Sequence, residues 1–156
     1  MTNKYFPTER LSDNDLYFVC YMIERVARKI HQPNRYVVES LGYDELYRQL
    51  SLASVLHSEN PDKVERDWID ENNLKQGQYD VTAVNPALGV HIPSATQMGK
   101  VYKRLVLNTL HEGEDLIQAL MRVYNSPFCN ILDNYNNSAF YEPSPLIARA
   151  YLNGSF

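Results

Sequence analysis

The stretch "SDNDLYFVCYMIERVARKIHQP", residues 12–33, decides how the chain folds. Leu16, Val19, Cys20, Ile23, Ala27 and Ile30 follow the three-and-four spacing that lines one side of an α-helix, so a helix is expected over residues 13–31. Ser12 or Asp13 can cap its start. Arg25, Arg28 and Lys29 gather near its end, where positive charge complements the exposed carbonyls, and Pro33 stops it.

The same reading extends outward. A brief second helix is expected from Asn34 to Leu41, closed by Gly42 as a left-handed terminal residue, and a third from Asp44 to His57 on the stripe Leu46, Leu50, Ala53 and Leu56. Asn60 followed by Pro61 reads as an N-cap with proline at the first helical position, with Asp62 and Glu65 in a first turn that favours negative charge. That fourth helix should bury Val64, Trp68 and Ile69. Between Lys75 and Pro93 the helical period disappears, and "YDVTAV" and "LGVHI" fit either an extended crossover, the favoured reading, or a small hairpin near residues 76–92.

Ser94 with Gln97 three residues later has the capping-box arrangement, so another helix should begin there, bury Met98, Val101, Tyr102, Leu105 and Thr109, and end by Gly113. Gly99 reads as a point of close helix–helix approach. Glu114 and Asp115 should charge the first turn of the next helix, Pro127 introduces a short segment, and Ser144 with Pro145 reads as a cap-plus-proline start of a last helix closed by Gly154. The expected fold is mainly α. It is a single compact domain over residues 1–156, a bundle of seven or eight helices, with helical halves at 13–74 and 94–156 joined by the crossover at 75–93.

Bulk composition bounds the function. With 44% hydrophobic residues in 156, the chain can build a core without disulfides or metals. A formal net charge of −4 gives nucleic acid or an anionic membrane no general attraction. There is no secretory leader pattern and no apolar run near the roughly 20 residues of a membrane span, and the two cysteines, Cys20 and Cys129, suit a reducing compartment, so a cytoplasmic protein is expected. Twelve tyrosines suit both core edges and protein interfaces.

Ile23-Glu24 with Ala27, Val37 or Val38, and Val55-Leu56-His57 ahead of an acidic helix carrying Asp67 form a pattern over residues 15–72 that resembles a bacterial domain-of-unknown-function family, number thirty-seven ninety-one. It implies a small helical protein encoded near ADP-ribosyltransferase-like toxins, with an accessory or antitoxin-like binding role. It brings no catalytic residue.

Candidate sites are few. His57 with Asp67 or Asp70 could form a general base and its orienting carboxylate, but no serine or cysteine stands in a nucleophile motif, and a histidine between two helices more simply packs the joint. His31, His57, His91 and His111 lack zinc spacing and the cysteines form no C-x-x-C pair, so no metal is expected. Phosphate-loop and dinucleotide glycine patterns are absent, so no cofactor is expected. Two modest basic regions, Arg25–Arg28–Lys29–Arg35 and Lys100–Lys103–Arg104 around Tyr102, read as solvated helix faces rather than as a DNA surface. Tyr141, Pro143 and Tyr151 flank a proline-punctuated segment suited to docking a partner. The expected function is therefore non-catalytic protein–protein contact or self-association. A small enzyme built on His57 and a weak DNA-binding regulator are the alternatives.

Overall fold

A computed structural model describes residues 1–156 as seven α-helices without a β-sheet: α1 (Asp13–Ile30), α2 (Asn34–Leu56), α3 (Pro61–Glu71), α4 (Ala95–Asn108), α5 (Leu116–Tyr124), α6 (Cys129–Leu132) and α7 (Ser144–Asn153). Two 3₁₀ turns, Pro86–Leu88 and Ala139–Tyr141, complete the order. The mainly α bundle expected from the sequence is what forms. None of its helices is long and apolar enough to cross a membrane.

α1 is the axis. Ser12 caps it with both halves of a capping box, accepting from the Asp15 N–H while the Asp15 carboxylate accepts from the Ser12 N–H. The sequence shows one apolar stripe, yet Phe18, Met22 and Val26 are also buried, because α1 packs against α2, α3 and α4 rather than against a single neighbour. A helix covered on several sides has no solvent face to keep polar over most of its length. One cluster of 39 buried apolar residues runs from Leu16 to Ala150, so both helical halves build the same core.

At Gly42 the chain kinks, with φ 77° and ψ 175°. The expected second and third helices are the two arms of α2 on either side of this bend. That backbone region is open to glycine and closed to side chains, so the residue expected to end a helix bends one instead. Asn60 caps α3 by accepting from the Asp62 N–H, and Val64 and Trp68 are buried while Ile69 is half-buried. The Trp68 indole N–H donates to the Gln49 side chain at 3.1 Å, which satisfies the one polar atom that its burial removes from water.

Residues 75–93 are an extended crossover containing the Pro86–Leu88 turn, and no hairpin forms. The crossover lies across the C-terminus of α1: the N–H groups of Gly77 and Tyr79 donate to the carbonyls of Ile30 at 2.7 Å and His31 at 2.9 Å. Gly77 is required for that approach, since a β-carbon there would stand 2.5 Å from the His31 carbonyl oxygen.

Three boundaries differ from expectation. α4 ends at Asn108 with Thr109 as its C-cap, before Gly113, and the Thr109 hydroxyl donates back to the Leu105 carbonyl at 2.7 Å. Asp115 is the N-cap of α5, not a first-turn residue, and completes a capping box with Gln118; Glu114 lies outside the helix and accepts from Arg122 at 2.8 Å. Ser144 is the first residue of α7, and Pro143 precedes it with no side-chain cap.

Gly99 sits where α4 crosses α1. A β-carbon there would lie 3.0 Å from the Tyr21 Cα and 3.1 Å from a ring carbon of Tyr17. Alanine gains about 1 kcal/mol in helix propensity, but overpacking against a backbone atom that cannot rotate away costs about 1–3 kcal/mol. Gly99→Ala is therefore expected to lower stability by about 1 kcal/mol, and Gly99→Val by more, as read from urea-unfolding midpoints; a more stable G99A protein would show that the helices are not in close contact here.

Candidate functional site

The residues expected to form a catalytic group do not share one network. His57 is the C-cap of α2; its backbone N–H donates to the Ala53 carbonyl at 2.9 Å and its exposed ring stands edge-on to Phe18 at 4.8 Å. The imidazole makes no hydrogen bond. Asp67 is paired with Lys63 at 3.0 Å, and Asp70 is exposed with no side-chain partner. Two of the four cations of the first basic region are neutralised: Arg25 pairs with Asp62 at 2.6 Å and Glu65 at 3.3 Å, and Arg28 with Glu24 at 3.0 Å. Tyr102, central to the second, is buried and donates to Asp133 at 2.6 Å, so its ring is not available for stacking on a base. No three His, Cys, Asp or Glu side chains come together as a metal site.

Tyr141 and Pro143 do come together. With Phe140 they wall one side of a groove of about 280 Å³, facing Lys100, Val101 and Arg104 of α4. Tyr151 is not part of it. Its hydroxyl accepts from Arg122 at 2.7 Å and its ring packs edge-on to Phe128, which fastens α7 to α5.

A second concentration of polar groups lies inside the bundle, and its position was only partly visible in the sequence. Glu24 of α1 is 1% exposed. Its carboxylate accepts from Arg28 Nε at 3.0 Å, from Asn34 Nδ2 at 3.2 Å and from the Tyr135 hydroxyl at 3.3 Å. Asn34 Nδ2 also reaches Asp133 Oδ2 at 3.3 Å, so one amide bridges two carboxyl groups. Arg28 is anchored further by the Pro93 carbonyl at 2.8 Å and the Tyr135 oxygen at 3.2 Å. Glu24 could have been found: it lies four residues after Cys20 and three before Ala27, on the inner stripe of α1. Asp133 carries no such local signal, because it follows a helix of four residues.

Burial and the neighbouring Glu24 push the Asp133 carboxyl up to about 8, against the opposing pull of hydrogen bonds from Tyr102 and Asn34. Its charged form is disfavoured relative to a solvated carboxylate. Burial likewise pushes the Cys20 and Cys129 thiols up to about 12, so both are unreactive, and neither is in a disulfide. Beside Asp133 opens a cavity of about 240 Å³, lined among others by Arg35, Tyr79, Tyr124 and Cys129.

Compared with known proteins, the chain matches no protein-family model, no curated protein and no solved structure.

Two outcomes follow. His57→Ala removes edge-on contacts to Phe18 and Tyr17, together worth about 1 kcal/mol at this exposed position, so the melting temperature should fall by about 2–4 °C; an unchanged melt would show that the ring does not brace the joint. For Asp133 the folded pKa lies above the unfolded one. The folded state therefore holds the extra proton, and its contribution is complete below about pH 4 and lost as pH rises through about 8. Wild type should lose stability between pH 5 and 8 in a component that Asp133→Asn lacks, as read from denaturation midpoints across that range. Parallel pH profiles would refute it.

Proposed function

We propose that this protein acts by binding another protein, and that the groove between α4 and the Phe140–Ser144 segment is its docking surface. One observation carries the reading. On a chain of formal net charge −4, the groove has two cations on one wall, Lys100 and Arg104, neither in an ion pair, and opposite them Phe140, Pro143 and Tyr141, which is 58% exposed, with Glu142 as the single carboxylate of the lining. Cations without partners facing an exposed aromatic fit a segment that presents acidic and apolar side chains together. Arg and Tyr are the residue types that concentrate binding energy at interfaces, and a local charge opposite to the net charge steers and selects partners. The groove's walls come from α4, the Ala139–Tyr141 turn and the start of α7, so it is formed before a partner arrives and loses little entropy on binding.

The role is that of a cytoplasmic accessory protein, in keeping with the antitoxin-like binding role that the family resemblance implies for a bacterial protein. Protein is favoured over nucleic acid as the partner because Tyr102 is buried and Arg25 and Arg28 are already engaged with carboxylates.

A photo-crosslinking residue placed at Tyr141 in the native cell should give one discrete adduct, whereas the same residue at Glu39, exposed on α2, should give none. Lys100→Glu with Arg104→Glu should abolish the adduct and leave the melting temperature within a few degrees of wild type, because surface substitutions usually change stability by no more than about 0.5 kcal/mol. An adduct that survives the double charge reversal would overturn the proposal.

A further inference from the structure

Lys4 lies apart from every ion pair of the chain, and what its ammonium meets instead is aromatic. Its Nζ stands 4.2 Å from the ring centroid of Tyr47, 4.7 Å from that of Tyr43 and 5.3 Å from that of Tyr5. All three lie within the roughly 6 Å range of cation–π attraction. The rings are tilted rather than stacked: Tyr5 is 64° and Tyr43 50° from the plane of Tyr47, with centroids 5.8 and 5.9 Å from it. Three rings at such angles wall a corner around one cation. Local structure puts them there. Tyr43 and Tyr47 are four residues apart on the arm of α2 beyond the Gly42 bend, so they share a face. Asn3, 1% exposed, fixes the third ring, because its side-chain oxygen accepts from the Tyr5 and Phe6 N–H groups at 2.9 and 3.2 Å. The Tyr47 hydroxyl accepts from the Lys4 backbone N–H at 3.4 Å and donates to the Thr2 carbonyl at 3.3 Å, which ties this segment to α2. None of the three tyrosines belongs to the docking groove.

The corner and its occupant are chemically mismatched. A lysine ammonium is a compact, strongly hydrated charge with three N–H donors, whereas ring faces offer charge attraction and apolar surface but no strong acceptor. An ammonium whose protons are replaced by methyl groups has no donor to leave unpaired and presents a broad, weakly hydrated cation to the rings. Its chemistry fits the walls better than that of Lys4. The surrounding charges favour a cation as well. The Tyr43 hydroxyl donates to Asp115, which enriches the electron density of that ring, and Asp44 lies next to it. The nearest competing cation, Arg48, is held by Glu45 at 2.8 Å. Access is open: Lys4 is an exposed residue, Tyr5 is 44% exposed, and the ring of Tyr47, 3% exposed, carries the Lys4 ammonium on it. Withdrawal of that one flexible side chain uncovers the corner while the Asn3 bonds keep Tyr5 in place.

We propose that Tyr5, Tyr43 and Tyr47 form a receptor for a methylated ammonium group, carried by a trimethyllysine side chain or by a choline-like small molecule, and that Lys4 fills it in the unliganded chain. Lys4 acts as a built-in competitor. An unmodified lysine from elsewhere gains nothing over the one already seated, which has the advantage of being tethered, whereas a methylated ammonium displaces it through better-matched contacts. The selectivity of the corner is therefore for methylation and not for positive charge in general.

The test is titration of the full chain and of its Lys4→Ala variant, followed by calorimetry, with choline, its neutral isostere in which carbon replaces nitrogen, a trimethyllysine peptide and the same peptide unmodified. Lys4→Ala should bind choline or the trimethyllysine peptide saturably, and wild type should bind them roughly fivefold more weakly, the worth of the competing ammonium. Adding Tyr5→Leu to Lys4→Ala should weaken binding roughly two- to fivefold, as expected for one exposed cation–π contact, whereas Tyr5→Phe should retain it. Tyr5 is exposed enough for both variants to fold. A peptide affinity well above that of choline assigns the source to a methylated protein, and equal affinities assign it to a small molecule. Absence of saturable binding of either methylated cation to Lys4→Ala at millimolar concentration would overturn the proposal. Equal binding of the neutral isostere or of the unmodified peptide would do the same, as would affinity in wild type equal to that in Lys4→Ala. Binding that ignores Tyr5→Leu and Tyr43→Leu alike would place the ligand elsewhere and refute the site.

Discussion

Glu24 places a carboxylate out of water in the central helix, and the arrangement of the other elements answers that placement. A buried ionised group is tolerated only when its charge is paired and its oxygens are hydrogen-bonded. Here the partners come from three parts of the chain: Arg28 one turn along α1, Asn34 at the first turn of α2, and Tyr135 from the segment after α6. Arg28 then reaches the Pro93 carbonyl, just ahead of the Ser94 cap of α4. The start of α2, the start of α4 and the return segment at residues 133–135 are thus referenced to one helical turn. Exchanging such a group for well-packed apolar side chains is often neutral or stabilising, so what the network contributes is a defined arrangement rather than net stability. Apolar burial holds the helices together. The network sets where their ends meet.

That arrangement has an electrostatic consequence. Asn34 offers a single amide nitrogen between Glu24 and Asp133, and Arg28 is committed to Glu24. Two carboxylates facing one bridging amide in a low dielectric repel strongly, and retention of a proton on Asp133 relieves that repulsion. A cavity of about 240 Å³ opens beside Asp133. It is bounded by the same α2 residues, Pro33 to Arg35, that the hub locks in position.

What could be read in advance divides along the range of the interactions. Short-range signals were legible: Ser12 and Asn60 cap as their chemistry suggests, Gly42 takes a positive φ, Gly99 lies at a helix crossing, and the loss of period between Lys75 and Pro93 marks the crossover. The one-residue error at Asp115 arose where Glu114 and Asp115 compete for one cap, and the Tyr43 hydroxyl, donating to Asp115, ties that cap to α2; at Ser144 the cap position falls to Pro143, which makes no side-chain cap bond. The hub was not legible as a hub. Glu24 and Asp133 are separated by more than half the chain, and periodicity reports only which face a residue occupies. For the docking groove, the sequence supplied Tyr141 and Pro143 but could not show that Lys100 and Arg104 stand opposite them. It also placed Tyr151 with them, whereas a helical turn and Arg122 carry that ring to another neighbour.

The acidic segment around α3 shows how far composition alone can mislead. Five carboxylates within ten residues suggest a reactive or metal-binding cluster, yet most are already committed. Asp62 and Glu65 receive Arg25 from α1, Asp67 receives Lys63, and Glu71 lies 3.6 Å from Arg48 of α2. The exposed pairs among them, Lys63–Asp67 and Arg48–Glu71, each contribute about 0–1 kcal/mol, so they do not hold α3 in place. Burial of Trp68 and Val64 does, at roughly 1.5–3 kcal/mol for each large side chain. The ion pairs decide rotation instead: a helix with an apolar stripe of two large residues could roll, and Arg25 reaching Asp62 and Glu65 from below while Arg48 approaches Glu71 fixes the face it presents. The His57 ring, laid against Phe18 at the turn into α3, completes that fixing without a carboxylate partner of its own.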